Sequence, residues 1–230
     1  TFEDKLLVQY DTNDEKHLYA FNSGTGEQVY ATPREDVQIS WASPVVVNTG
    51  SRHEIILNSN PFVISYDPAT GEELWRVNCM DAEVGPSVAY ADGWVYAVNE
   101  YAILAAIKLE GTPHIAWEYE DDLSEASSPV ATDDFLFLAS SYGTVTCFDA
   151  KSGEAFWTQE YDDGFYSSPI VAGENVFLMD RDGVVHVFKA SAEFESVADN
   201  ALGEKSDTIP AFMHGCIYIR GENSLFCIGN

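Results

Sequence analysis

Ser65-Tyr66-Asp67-Pro68-Ala69-Thr70-Gly71-Glu72-Glu73-Leu74-Trp75 and Cys147-Phe148-Asp149-Ala150-Lys151-Ser152-Gly153-Glu154-Ala155-Phe156-Trp157 are two copies of one pattern: an Asp, a Gly four residues on, and a Trp four residues after that. Ala20 to Tyr30 keeps the spacing with Asn22, Gly26 and Tyr30. Ala106 to Trp117 is one residue longer, and the copy ending at Val197 has lost Asp, Gly and Trp. Working outward, prolines stand at Pro44, Pro86, Pro129, Pro169 and Pro210, at intervals of 42, 43, 40 and 41. Each opens a short β-rich run, and a second apolar run follows, as at 94–98, 135–139 and 176–179. A third run ends at Phe21, Tyr66, Ile107, Phe148, Phe188 and Ile228, and the fourth carries Tyr30, Trp75, Trp117, Trp157 and Val197.

Four short strands in every 41 or so residues predict an all-β fold, a β-propeller of four-stranded blades. One such sheet cannot bury both faces alone, so neighbouring sheets must stack. Naming the strands A to D from the axis outward, each proline starts strand A, where no ladder donor is lost. The blade repeats fall near 1–43, 44–85, 86–128, 129–168, 169–209 and 210–230, read as one domain. The tally is 22 strands, five and a half blades, which suits a fragment of a seven- or eight-bladed propeller better than an incomplete six-bladed ring. Helical periodicity is absent except for one short candidate helix around 191–200.

Composition narrows the function classes. The chain of 230 residues has 38 Asp and Glu against 11 Lys and Arg, a net charge of −27, which disfavours nucleic acid and anionic membranes as partners. Thirteen per cent aromatic content argues against disorder. No apolar run is long enough to span a bilayer as a helix. Cys79, Cys147, Cys216 and Cys227 show no metal-ligand spacing; Cys216 and Cys227 fall on one hairpin, but diagonally, so a disulfide there is not favoured. The chain starts at Thr1 with no basic or apolar leader, as a processed product would.

The Asp–Gly–Trp copies resemble the PQQ-like (quinoprotein-type) β-propeller repeat family. The resemblance runs over nearly the whole chain and implies a positive-φ turn at each Gly and a Trp docked on the neighbouring blade. Among families with this repeat, the chain resembles the outer-membrane β-barrel assembly lipoprotein propellers more than the quinoprotein dehydrogenases. The dehydrogenases hold PQQ and Ca²⁺ beside a vicinal Cys-Cys pair, which this sequence lacks. The resemblance therefore implies a periplasmic or extracellular, cell-envelope scaffold with a protein partner and no cofactor. A PQQ- and Ca-dependent oxidoreductase, or a relic of one, is the alternative.

Candidate sites lie on the face shared by the D–A and B–C loops. The D–A loops carry twelve acids, Glu35, Asp36, Asp81, Glu83, Glu120, Asp121, Asp122, Glu125, Asp162, Asp163, Glu204 and Asp207, with only Arg34 and Lys205 among them. Such a face is either a solvated rim or a docking surface for a basic partner; high-salt adaptation would also account for the acidity. Trp41, Glu83, Ala126, Tyr166 and Asp207, each three residues before a repeat proline, should ring the channel mouth. The B–C loops add Glu100, Tyr101, Tyr142, Asp180, Arg181 and Arg220. From these, Trp41, Glu83, Tyr166, Asp207, Tyr101, Arg181 and Arg220 are the ligand-binding candidates, for a protein or a small cationic or sugar-like ligand. Trp41, Tyr101 and Tyr166 would be the stacking platforms of a carbohydrate-binding propeller. No catalytic or metal-ligating set emerges: there is no Gly-x-Ser-x-Gly, HExxH, P-loop or calcium loop, and the five histidines are scattered.

Overall fold

The computed structural model describes residues 1–229, and it forms two compact units, Thr1–Glu120 and Asp121–Asn230. Unit 1 opens with a three-stranded sheet, β1 (Lys5–Asp11), β2 (Lys16–Asn22) and β3 (Gln28–Pro33). Two four-stranded sheets follow: β4 (Val45–Asn48), β5 (His53–Asn58), β6 (Phe62–Tyr66) and β7 (Glu73–Asn78), then β8 (Ala89–Ala91), β9 (Trp94–Val98), β10 (Leu104–Lys108) and β11 (His114–Tyr119). Unit 2 holds β12 (Val130–Ala131), β13 (Phe135–Ala139), β14 (Thr144–Asp149) and β15 (Ala155–Glu160), then β16 (Ile170–Ala172), β17 (Asn175–Met179), β18 (Val184–Lys189) and β19 (Ser196–Ala201). A three-stranded sheet closes it, β20 (Ala211–Met213), β21 (Cys216–Arg220) and β22 (Leu225–Gly229). Every sheet is an antiparallel meander in chain order, and the strands match the repeat reading one for one. The helix expected around 191–200 is not there: residues 191–195 form a bend and Ser196–Ala201 pairs with β18 as the outer strand. The ladder to β18 overrides the local helical propensity of Ala192–Glu195.

The middle two strands of each complete sheet, B and C, are largely buried on both faces, whereas the outermost strands alternate. The period of two explains the partition. In unit 1, Ile55, Leu57 and Ile64 pack with Leu7, Leu18 and Ala20 of the first sheet. Ile56 and Val63 point the other way, onto Val95, Ala97, Ala105 and Ile107 of the third. In unit 2, Phe137, Ala139, Val145 and Cys147 pack with Val176, Leu178 and Phe188. Full burial of one such side chain stabilises the fold by roughly 1.5–3 kcal/mol.

The C–D turn shows what the repeat residues do. Asn22, Asp67 and Asp149 each accept two backbone N–H bonds with Oδ1, from Gly24 and Thr25, from Ala69 and Thr70, and from Lys151 and Ser152, at 2.7–3.0 Å. The turn then closes through the N–H of Gly26, Gly71 or Gly153, at φ of 75°, 74° and 75°. Gly71 has a second reason to be glycine: a Cβ there would lie 2.5 Å from Thr32 Oγ1 and 2.7 Å from the Tyr30 ring of the preceding sheet. All five C–D pairs also carry a register shift at one equivalent place, Ala20/Phe21, Ser65/Tyr66, Ala106/Ile107, Cys147/Phe148 and Val187/Phe188. The extra residue raises the local twist of the outer strand. The aromatic residue just after it reaches the next sheet: Tyr30 OH donates to Pro68 O at 3.4 Å, and Trp157 Nε1 donates to Ser191 O at 3.0 Å.

A buried ion pair joins the first two sheets. Arg34, expected among the exposed loop residues, has a fully buried side chain. It donates through Nε and Nη2 to the two oxygens of Asp11, at 3.0 and 3.1 Å, and through Nη1 to Tyr66 OH at 2.6 Å. Nη2 also donates to Ser59 Oγ. Every polar partner of the charge is supplied internally, the condition under which a desolvated pair is tolerated.

Candidate functional site

Unit 2 brings together four of the expected site residues. The β17–β18 turn carries Arg181, and its base is held by Asp180, whose Oδ1 accepts the Val184 N–H at 2.8 Å. Asp180 Oδ2 lies 3.0 Å from Nε2 of buried His186, whose Nδ1 faces Asp199 Oδ1 at 2.7 Å. Tyr161 packs on that imidazole with centroids 4.3 Å apart, and burial pushes its phenol up to about 12. Gly183 in the same turn has φ +84° and presses on the next loop, where a Cβ would fall 2.0 Å from Glu204 O. The platform under Arg181 is thus fixed on both sides.

From it the Arg181 guanidinium lies over the Tyr166 ring, 4.3 Å from the centroid, and Nε pairs with Asp207 Oδ1 at 3.2 Å. Tyr166 OH donates to Glu125 Oε2 at 3.3 Å. The acid–aromatic–base–acid row Glu125, Tyr166, Arg181, Asp207 runs across three successive D–A loops and the turn between the last two. Beside it opens a cavity of about 380 Å³, lined among others by Asp163, Arg181, Asp182, Lys205, Asp207 and Arg220. Lys205 Nζ is 3.1 Å from Asp182 Oδ1, and that contact holds its ammonium above the ordinary lysine range. Arg220 is exposed, and among the described residues no carboxylate pairs with its guanidinium. Three of the chain's eleven basic residues therefore meet in one cavity of a protein with 38 acids.

The other expected residues stand elsewhere. In unit 1, Trp41 is 66% exposed beside a shallow cavity shared with Gln9, Tyr10 and Thr12. Its backbone N–H donates to Val84 O at 2.9 Å, tying the loops of adjacent sheets. Glu83 and Tyr101 are exposed, Tyr101 at 71%. The acids of the D–A loops are mostly exposed, but some are engaged: Asp36 is held below the ordinary carboxylate range by its hydrogen bond from Arg76. Among the described residues no group of three or more His, Cys, Asp or Glu is placed to hold a metal ion. The four cysteines are free thiols, with Cys216 opposite Gly229 and Cys227 opposite Tyr218, the diagonal expected. Sequence reasoning missed the bracing pair Asp180–His186, whose partners lie six residues apart around a turn.

Comparison with known proteins follows the same lines. The family described as "Outer membrane protein assembly factor BamB" matches residues 59–120 and 110–193. The outer membrane protein assembly factor BamB of Yersinia pestis is 26% identical over 148 residues, 64% of this chain and 36% of that protein. The chain's match thus spans about a third of that relative's length. Among solved structures, BamB from Moraxella catarrhalis superposes with a TM-score of 0.77 at 16% identity, covering 97% of this chain and 68% of that one. Saccharomyces cerevisiae Sqt1 superposes with a TM-score of 0.73 at 13% identity, covering 94% and 67%. These structural likenesses establish the fold as that of a β-propeller.

Proposed function

This chain belongs to the family described as outer membrane protein assembly factor BamB, and from that premise we propose that it is a non-catalytic scaffold of the cell envelope that docks a protein partner on its D–A and B–C loops. The observation that carries the reading is the row Tyr166, Arg181, Asp207 with the adjacent Arg220. A stacked, ion-paired arginine next to an exposed one, on a braced turn, makes a rigid surface of mixed charge. Rigid arginine and tyrosine side chains lose little entropy on binding and are enriched in interface hot spots. The surrounding acids speed encounter with a partner of complementary charge.

The test is site-specific photo-cross-linking in cells, with the probe at position 181 or 220 and, as control, at exposed Glu110 on a C–D turn. A single envelope protein captured at 181 and 220 but not at 110 supports the reading; equal capture at all three, or none, refutes it. The proposal includes no redox cofactor. Addition of PQQ and Ca²⁺ should leave thermal unfolding unchanged, and a saturable upward shift would favour the oxidoreductase alternative instead.

A further inference from the structure

A second cleft lies at the other end of the strands, among the A–B and C–D turns of unit 1. At the position where β9 has Trp94 and β13 has Phe135, β5 carries a carboxylate, Glu54. Glu54 is 4% exposed and accepts hydrogen bonds from Ser65 Oγ at 2.6 Å, Trp75 Nε1 at 2.7 Å and Arg52 Nε at 2.8 Å. Trp75 therefore turns its indole N–H inward to Glu54, whereas its counterpart Trp157 donates to the turn of the following sheet. The following turn here is the copy with one extra residue, between Ala106 and Trp117. The cleft so formed has a volume of about 760 Å³, within the range of small-molecule sites.

Its lining combines indole and aliphatic surface (Trp94, Leu109) with short hydroxyls (Thr49, Thr112) above the Glu54–Arg52 pair. We propose that this cleft binds a neutral saccharide, its C–H face on Trp94 and its hydroxyls bonded to Glu54 and Arg52. The charged side chains at the site are of both signs: Arg52 pairs with Glu54, Lys108 pairs with Glu110 at 2.7 Å, and Asp92 also lines the cleft. A charged ligand would face like charge at the rim, whereas a polyol both donates to the free carboxylate lone pair and accepts from the remaining guanidinium N–H groups. Aromatic rings supply the apolar contact that sugars need. This site is separate from the loop face described above and stands or falls without it.

The experiment uses the full chain with maltose, cellobiose and N,N′-diacetylchitobiose as probes, read by saturation-transfer NMR and tryptophan fluorescence. At least one should bind saturably, with about tenfold weakening in Trp94→Ala, since one stacking contact is worth about 1.4 kcal/mol. Glu54→Gln should weaken binding as well, and Trp41→Ala should leave it unchanged. If Glu54→Gln fails to fold, Arg52→Ala, at a half-exposed side chain, takes its place. No saturable response to any of the three sugars, wild-type affinity in Trp94→Ala, or loss in Trp41→Ala alone overturns the proposal.

Discussion

Gly26→Ala and Gly71→Ala form a matched pair that isolates the contact between adjacent sheets. Both glycines close the same C–D turn, with φ of 75° and 74°. Both therefore bear the same left-handed backbone cost on replacement, about 1–2 kcal/mol. They differ in surroundings: a Cβ at Gly26 meets nothing within 4 Å, while one at Gly71 runs into Thr32 Oγ1 and the Tyr30 ring. Neither neighbour yields freely, because Thr32 Oγ1 donates to Gly71 O at 2.8 Å and Tyr30 is anchored at Pro68 O. Overpacking of this kind costs about 1–3 kcal/mol more. Urea unfolding followed by tryptophan fluorescence at fixed salt should place Gly71→Ala about 1–3 kcal/mol below Gly26→Ala. Adding Thr32→Ala should return part of that difference. Equal stabilities of the two single variants, within about 0.5 kcal/mol, would show that the seam between the sheets yields and that the close approach at Gly71 does not constrain the sequence.

Other expectations follow from the same structure. Arg34→Met should destabilise by about 3–5 kcal/mol, since it leaves Asp11 charged and buried, and Arg34→Met with Asp11→Leu should cost less than Arg34→Met alone. Trp157→Phe keeps an aromatic ring but removes the bond to Ser191 O and part of the indole packing on Phe188 and Phe194, a loss of about 1–3 kcal/mol in thermal or urea unfolding. Asp149 is held below the ordinary carboxylate range by the N–H of Ser152, so its contribution is complete above the unfolded carboxylate range and fades as pH falls through its own lower value. Asp149→Asn should flatten that acid limb of the stability–pH curve, and an unchanged limb would contradict the turn assignment. Burial pushes the thiols of Cys79 and Cys147 up to about 12, so at pH 8 a disulfide reagent should label exposed Cys227 and spare these two until the protein unfolds.

The backbone plan was legible in the sequence because it rests on period. Prolines at near-constant intervals, two-residue alternation and the Asp–Gly–Trp spacing locate all 22 strands, including the outer strand that holds Val197. The same stretch shows where local reading fails: Ala192–Glu195 looks helical, yet the free edge of β18 recruits the segment that follows. Side-chain pairings between elements were mostly illegible. Arg34 reads as one cation in an acidic loop, and its burial depends on Asp11, 23 residues earlier, lying opposite. Arg181, Tyr166 and Asp207 were located on the right loops by repeat position, but that Arg181 lies over Tyr166 depends on the bracing of its turn by Asp180 and His186. Glu54 carries only a faint signal, a carboxylate where the two following copies have Trp94 and Phe135, visible only once the copies are aligned.

The outer-strand aromatic bonds to the following turn, Tyr30 to Pro68 O and Trp157 to Ser191 O, share a property: the acceptor is a backbone carbonyl. A main-chain oxygen is present whatever residue occupies the turn, so the lock asks nothing of the sequence it closes on. A gene for such a chain can gain or lose a unit by unequal recombination, and the new neighbour is met by the same key. Individual turns are then free to drift, as the lengthened stretch after Ala106 and the degenerate one before Val197 have done, and specialised clefts can arise in one seam while the others hold the array together.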